Sequence, residues 1–131
     1  MEHFEEASRP GPNSVLIAEE DPRLRRIIRL YLEREGFSAV EVCSMAECQA
    51  LLRQSSVGLV IVSVQLPGFD APRFSEWLRS EFPLKPVPVV LLSFEPEDRL
   101  LTQGLRLGAF RRKPFDPGEL VSQATRLMRA V

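Results

Sequence analysis

Short apolar segments alternate with amphipathic segments along most of this chain, and this alternation constrains its fold more than any other feature. Segments that are apolar at nearly every position are typical of strands in a parallel sheet covered by helices on both faces. The sequence therefore predicts an α/β fold, a doubly wound parallel sheet built from five strand–helix units. The apolar segments fall at 14–18, 38–43, 58–63, 87–93 and, more briefly, 109–113.

The segments between the predicted strands carry the caps and the spacing of helices. Asp21 suits an N-cap, Pro22 a first helical turn, and Gly36 the residue that ends the first helix. A weaker helix is predicted over 95–108, where Gly104 lowers the helix propensity. The residues expected to face the core are Leu24, Ile27, Ile28 and Tyr31 in the first helix, and Met45, Cys48, Leu51 and Leu52 in the second.

Length, composition and charge bound the class of protein. A chain of 131 residues is long enough for one domain with its own core. Residues 1–13 are rich in Pro, Gly and polar residues, so we expect a flexible tail ahead of a domain over 14–131. The net charge of -1 gives no reason to expect a nucleic-acid or membrane partner. The acidic N-terminus has no apolar signal core, which predicts a cytoplasmic location.

The cysteines and the histidine limit the available chemistry. Cys43 and Cys48 are expected to be free and mostly buried, because a zinc site needs more Cys or His than this chain has. His3 is the only histidine and lies in the predicted tail. The sequence therefore predicts no histidine-based catalysis within the domain.

Polar residues follow the predicted strands where the strands end. Glu19 and Glu20 follow the first strand, Ser63 ends the third, Ser93 ends the fourth, and Lys113 follows the fifth. Because the carboxyl ends of parallel strands meet at one edge of the sheet, these side chains are expected to converge there.

Four segments, in this order, make the chain resemble the receiver domains of response regulators over residues 14–131. They are "VLIAEEDPRLR", "LVIVSVQLPGFDA", "VPVVLLS" and "KPFDPGEL". The resemblance implies a flavodoxin-like fold with strand order 2-1-3-4-5. It also implies that Lys113 contacts a phosphoryl group, that Ser93 is the switch hydroxyl and Phe110 the aromatic that moves with it, and that Glu19 and Glu20 are the acidic pair that holds Mg²⁺.

The sequence departs from the family at the position of the phosphoacceptor aspartate, which is Ser63 here. An acyl phosphate needs a carboxylate, and a serine hydroxyl is a poor nucleophile unless a base activates it. A cation also loses a charged ligand, so we expect weak Mg²⁺ binding or none, with Glu20 and the Gln65 carbonyl as its ligands if any, and no other cofactor. Phe94 is expected to crowd the site.

A lysine that has lost its usual partner needs another one. An isolated buried ammonium is costly, whereas a hydrogen-bonded ion pair is tolerated. We therefore expect Lys113 to pair directly with Glu19 or with Glu20.

These features predict a receiver-like signalling domain of a two-component system that is not an enzyme and acts through protein–protein contacts, independently of phosphorylation. One alternative is a phosphorelay receiver with Ser63 or Glu20 as an unusual acceptor. A more remote one is a flavodoxin-like cofactor-binding enzyme, disfavoured because no Gly-rich phosphate cradle follows the strands. The resemblance places partner or homodimer contacts on the face of the fourth helix, fifth strand and last helix, which would include Arg99, Arg106, Phe110, Arg111 and Arg112.

Overall fold

The computed structural model describes residues 13–84, 86–96 and 107–129. These residues form five strands and four helices. The strands are β1 (Ser14–Ala18), β2 (Ser38–Val42), β3 (Leu59–Ser63), β4 (Val89–Ser93) and β5 (Leu107–Arg112). The helices are α1 (Pro22–Arg34), α2 (Met45–Gln54), α3 (Ala71–Glu81) and α4 (Pro117–Arg129).

The five strands form one parallel sheet in the order β2-β1-β3-β4-β5. This confirms the predicted doubly wound α/β fold and its strand order. The chain passes from β1 to β2 on one side and then returns across β1 to β3 on the other, so the carboxyl end of β1 lies between those of β2 and β3. The helix predicted over 95–108 falls largely outside the described residues.

Two apolar layers cover the sheet, one on each face. Helices α2 and α3 contribute buried side chains to one layer, including Met45, Cys48 and Phe74. Helices α1 and α4 cover the other face, with Ile28, Leu32 and further residues of α4. Because β1, β3 and β4 are buried at every position, the sheet has no solvent-facing side at its centre.

Helix α1 begins and ends where the sequence predicts. The side chain of Asp21 accepts a hydrogen bond of 2.9 Å from the backbone N–H of Arg23, and Gly36 takes a left-handed φ of 88° beyond the last turn. The predicted inward stripe is wrong at Ile27, which is 42% exposed. The stripe is centred on Ile28 and Leu32, one turn apart, and this turns Ile27 to the side of the helix.

Helix α2 begins after the N-cap Ser44, and the contacts of its first turn differ from a simple capping box. The hydroxyl of Ser44 accepts from the N–H of Glu47 at 3.2 Å, while the Glu47 carboxylate accepts from the N–H of Cys43 at 3.2 Å. This arrangement keeps Cys43 at the surface, so the prediction that both thiols are mostly buried is wrong for Cys43 and confirmed for Cys48.

The predicted tail, residues 1–13, lies outside the described residues except for Asn13. The carbonyl oxygen of Asn13 accepts a hydrogen bond of 3.3 Å from the N–H of Ser38. Asn13 is therefore already part of the fold, one residue earlier than predicted. Among the helices of the described part, none combines the length and the apolar character that crossing a membrane requires.

Candidate functional site

The polar residues that follow β1, β3 and β5 meet at the carboxyl edge of the sheet, as the parallel topology predicts. Glu19 and Ser63 are fully buried and Lys113 is 5% exposed. The pairing of β1 with β3 and of β4 with β5 places the backbone of these residues at the same level along the strand direction. The sheet therefore brings two carboxyls, one hydroxyl and one ammonium into a single buried cluster.

The ammonium of Lys113 is the centre of this cluster. Its Nζ lies 2.5 Å from Oε1 of Glu19 and 3.6 Å from Oε1 of Glu20, and it donates a hydrogen bond of 3.0 Å to Oγ of Ser63. The predicted pairing of Lys113 with the acidic pair is confirmed, and Glu19 is the closer partner. The side chain of Lys113 is 3% exposed, so water screens this ion pair little.

The two glutamates of the acidic pair differ in their protonation. The pKa of Glu19 is raised to about 7, mainly by burial and also by a hydrogen bond with Glu20. The hydrogen bond from the Asp21 N–H and the neighbouring Lys113 act in the opposite direction and lower this pKa. Burial also opposes ionisation of Glu20, but hydrogen bonds from Glu19 and the backbone, together with the Lys113 charge, lower its pKa. Glu19 is therefore the member of the pair that keeps its proton to higher pH, and Glu20 is the one that ionises more readily.

Ser63 uses its hydroxyl fully within the fold. Its Oγ donates to the side-chain Oε1 of Gln65 at 2.9 Å and accepts from the Gln65 backbone N–H at 3.3 Å, in addition to the bond from Lys113. Ser63 therefore satisfies a local backbone group. The contact with the Gln65 side chain was not predicted, although a serine two residues before a turn residue commonly bonds forward in this way.

Phe94 closes the outer side of the cluster. Its ring centre lies 5.0 Å from the Lys113 Nζ, within the range of a cation–π contact, and the residue is 54% exposed. The backbone carbonyl of Phe94 accepts a hydrogen bond of 3.1 Å from Nε of Arg112. The ring thus crowds the site, as predicted, by lying over the ammonium.

Ser93 lies at the same edge but does not join the ion pair. Its hydroxyl accepts a hydrogen bond of 3.0 Å from the N–H of Glu95, and its carbonyl accepts one of 2.7 Å from the N–H of Lys113. Ser93 therefore contacts Lys113 through the backbone, and its hydroxyl serves the turn after β4.

The residues predicted for an interaction surface do not share one face of the sheet. Phe110 is half-buried and packs against the core layer of α2 and α3, so it is not an exposed anchor. Arg111 points to the other face, where it donates to Gln123 at 2.8 Å and pairs with Glu119 at 3.0 Å. Phe110 and Arg111 point to opposite faces because side chains alternate along a strand, and Arg112 alone of the three is exposed. Arg99 and Arg106 lie outside the described residues.

This cluster has the wrong charge for nucleophilic catalysis by Ser63. A base that activates a serine must be able to take a proton, and an ammonium held between two carboxyls cannot. The Glu19 carboxylate is not available as a base either, because its ionised form pairs with Lys113.

The residues present also do not fit Mg²⁺. The cation of this cluster is the ammonium itself, and Ser63 supplies no charge where a third carboxylate would stand. Within residues 13–84, 86–96 and 107–129, no group of three or more His, Cys, Asp and Glu side chains is placed to hold a metal ion.

The fold and the site together define a flavodoxin-like α/β domain with an acidic pair and a lysine at the carboxyl edge of its sheet. The sequence pattern of the response regulator receiver domain matches residues 15–125. The chain belongs to this family, the receiver domains of two-component signalling.

Individual relatives support the same assignment. The chain is similar to the transcriptional regulatory protein GltR of Pseudomonas aeruginosa, with 31% identity over 118 residues, which cover 88% of this chain and 49% of GltR. It is 33% identical to the response regulator GtcR of Aneurinibacillus migulanus over 84% of this chain and 45% of the relative. The chain thus spans about half the length of these relatives.

Solved structures show the same fold. A sensor protein from Polaromonas sp. JS666 superposes with a TM-score of 0.75 at 26% identity, covering 93% of this chain and 98% of the other. The chemotaxis response regulator CheY4 of Vibrio cholerae has a TM-score of 0.76 at 19% identity, covering 87% and 97%, which is a likeness of fold.

Proposed function

We propose that this receiver domain signals without phosphorylation of Ser63 and that its output is a contact with another protein. The observation that carries the proposal is the buried contact of Lys113 with Glu19, 2.5 Å long, beside a hydroxyl that already makes three hydrogen bonds. The negative charge that a phosphorylated aspartate brings near this lysine in other receivers is replaced here by the acidic pair Glu19 and Glu20, from within the fold.

The chemistry at Ser63 supports this proposal. Phosphoryl transfer to Ser63 requires removal of its proton and neutralisation of the incoming phosphoryl charge. The Lys113 ammonium is occupied by Glu19, and the hydroxyl proton is directed to Gln65. A phosphodonor would have to break both contacts and pass the ring of Phe94.

A partner protein is the proposed recipient of the signal, and the edge strand β5 with its neighbouring helix is the proposed contact. Of the predicted contact residues in the described part of the chain, Arg112 is the exposed one, and its bond to the Phe94 carbonyl connects it to the ring that covers the site. A homodimer through the same surface remains a prediction, as do a cytoplasmic location and the absence of enzymatic activity. Light scattering of the purified protein tests the homodimer.

The test of the proposal is phosphorylation by a small donor. Wild type, Ser63→Asp and Ser63→Ala are incubated with acetyl phosphate and Mg²⁺, and their intact masses are measured. We expect only Ser63→Asp to gain the mass of one phosphoryl group, because it alone supplies a carboxylate at this position. A stoichiometric gain by the wild type would overturn the proposal.

The same experiment separates the alternative acceptors, Ser63 and Glu20. Glu20 is the acidic residue whose carboxylate is partly accessible, with 31% of its side chain exposed and its pKa lowered by its hydrogen bonds and Lys113 despite burial. Phosphorylation at Glu20 would be lost in Glu20→Gln and removed by hydroxylamine, which cleaves acyl phosphates. Phosphorylation at Ser63 would resist hydroxylamine and be lost in Ser63→Ala. Visible absorbance of a bound flavin would favour the cofactor enzyme instead.

A further inference from the structure

We propose that the Lys113 ammonium is an internal counter-ion that keeps divalent cations out of the acidic pocket, which becomes a divalent-cation site once this ammonium is removed or drawn away. The inference concerns the same site as the proposed function and deepens it. Its test is a metal titration, so its failure is distinguishable from that of the phosphorylation test.

The carboxylate oxygens that face Lys113 are potential metal ligands. Oε1 of Glu19 lies 2.5 Å and Oε1 of Glu20 lies 3.6 Å from the ammonium. Neither oxygen has a hydrogen-bond partner elsewhere in the described part of the chain, and both are buried atoms. Two carboxylate oxygens converging on one point are the donors that a hard divalent cation prefers, and here an ammonium fills that point.

The ammonium cannot readily give way to a metal ion. The Lys113 backbone N–H is bonded to the Ser93 carbonyl at 2.7 Å, which fixes the start of the side chain at the edge of the sheet. The Phe94 ring covers the Nζ from outside. A tethered cation has a high effective concentration at its site, so a free divalent cation competes poorly with it. Occupation by both would place like charges together in a buried pocket.

Binding of Mn²⁺ tests this proposal, since the electron paramagnetic resonance signal of free Mn²⁺ falls as the ion binds. Wild type is compared with Lys113→Met and with the control Lys85→Met, which removes the same charge at the other lysine of the chain, between Leu84 and Pro86. We expect Lys113→Met to bind one Mn²⁺ at least about tenfold more tightly than wild type or Lys85→Met, because the competing charge is gone. Adding Glu20→Gln to Lys113→Met should abolish that gain.

Ser63→Asp provides a second route that keeps the lysine, in case Lys113→Met does not fold. The Nζ is already 3.0 Å from Oγ of Ser63, so a carboxylate there draws the ammonium from the acidic pair and adds a ligand. We expect this variant to gain Mn²⁺ binding as well. Wild-type binding as tight as that of either variant, or a folded Lys113→Met that binds no more tightly than Lys85→Met, would overturn the proposal.

Discussion

Arg25 holds the backbone of Glu19 from the first turns of helix α1. Its Nη1 donates a hydrogen bond of 2.8 Å to the Glu19 carbonyl, and its Nε pairs with Glu41 on the edge strand β2 at 3.2 Å. Arg29 also reaches Glu41, at 2.9 Å. The end of β1, from which the Glu19 carboxyl enters the pocket, is therefore fastened both to a helix and to a neighbouring strand.

Replacing Arg25 with Ala should destabilise the protein by about 1–3 kcal/mol, because a charge-assisted hydrogen bond is lost and the Glu19 carbonyl loses its donor. Arg26→Ala is the matched control, since it removes the same charge from the next position, which is exposed. Urea denaturation of both variants measures the difference. Equal free energies of unfolding would show that the Arg25 contacts contribute nothing.

Lys113→Met should cost about 3–5 kcal/mol, because it leaves the acidic pair Glu19 and Glu20 without its counter-charge. The double variant Lys113→Met with Glu19→Gln should recover part of this loss, since the more deeply buried of the two carboxyls is then gone. A double-mutant cycle in urea denaturation measures the coupling. Purely additive effects of the two substitutions would contradict a direct ion pair.

Stability should depend on pH through Glu19. Its pKa is raised from 4.5 to about 7 by burial, so between these values the folded protein retains a proton that the unfolded chain releases. This group therefore makes the free energy of unfolding fall as the pH rises from about 4.5 to about 7. Glu20, with a lowered pKa, contributes the opposite slope only under more acidic conditions.

Glu19→Gln should remove this decrease in the free energy of unfolding with rising pH, while it leaves the other titratable residues in place. Urea midpoints of wild type and variant at about pH 5 and about pH 8 test this, and we expect a smaller difference between the two conditions for the variant. An unchanged difference would mean that Glu19 is fully ionised throughout.

The two thiols should react at very different rates. Cys48 is fully buried, and burial raises its pKa to about 12, whereas Cys43 is exposed and donates to the Glu47 carboxylate at 3.0 Å. A thiol reagent should modify Cys43 in the native protein and Cys48 only on unfolding. Because the hydrogen bond and charge of Glu47 raise the pKa of Cys43, Glu47→Gln should accelerate the native reaction.

The edge cluster was predictable from sequence because parallel topology alone brings Glu19, Ser63 and Lys113 together. Burial of an ammonium then required a carboxylate partner, and the sequence offered only Glu19 and Glu20 at that edge. Which of the two glutamates lies closer to Lys113 depends on the direction of their side chains, and the hydrophobic pattern of the sequence does not encode that direction. The contact between Ser63 and the Gln65 side chain has a local signal in the sequence, because the two residues are only two positions apart. The sequence analysis gives a role only to the Gln65 backbone carbonyl, as a possible Mg²⁺ ligand.

Other features depended on contacts between distant segments. The pairing of Arg25 with Glu41 joins a helix to an edge strand, and nothing in either segment indicates the partner. Strand alternation could have separated Arg111 from Arg112, but a run of basic residues in a short strand was treated as one surface. The exposure of Ile27 followed from the rotation of α1 about its axis, which the packing of α4 sets.

Lys113 enters two kinds of bond at once, because its backbone N–H pairs β5 with the Ser93 carbonyl while its ammonium neutralises Glu19. An amide exchanges with deuterated solvent only when its hydrogen bond opens. The exchange rate of the Lys113 amide therefore reports how often this edge of the pocket opens. A partner, a substitution or a change of pH that weakens the ion pair should therefore change the exchange rate of this one amide, which NMR measures without a probe attached to the protein.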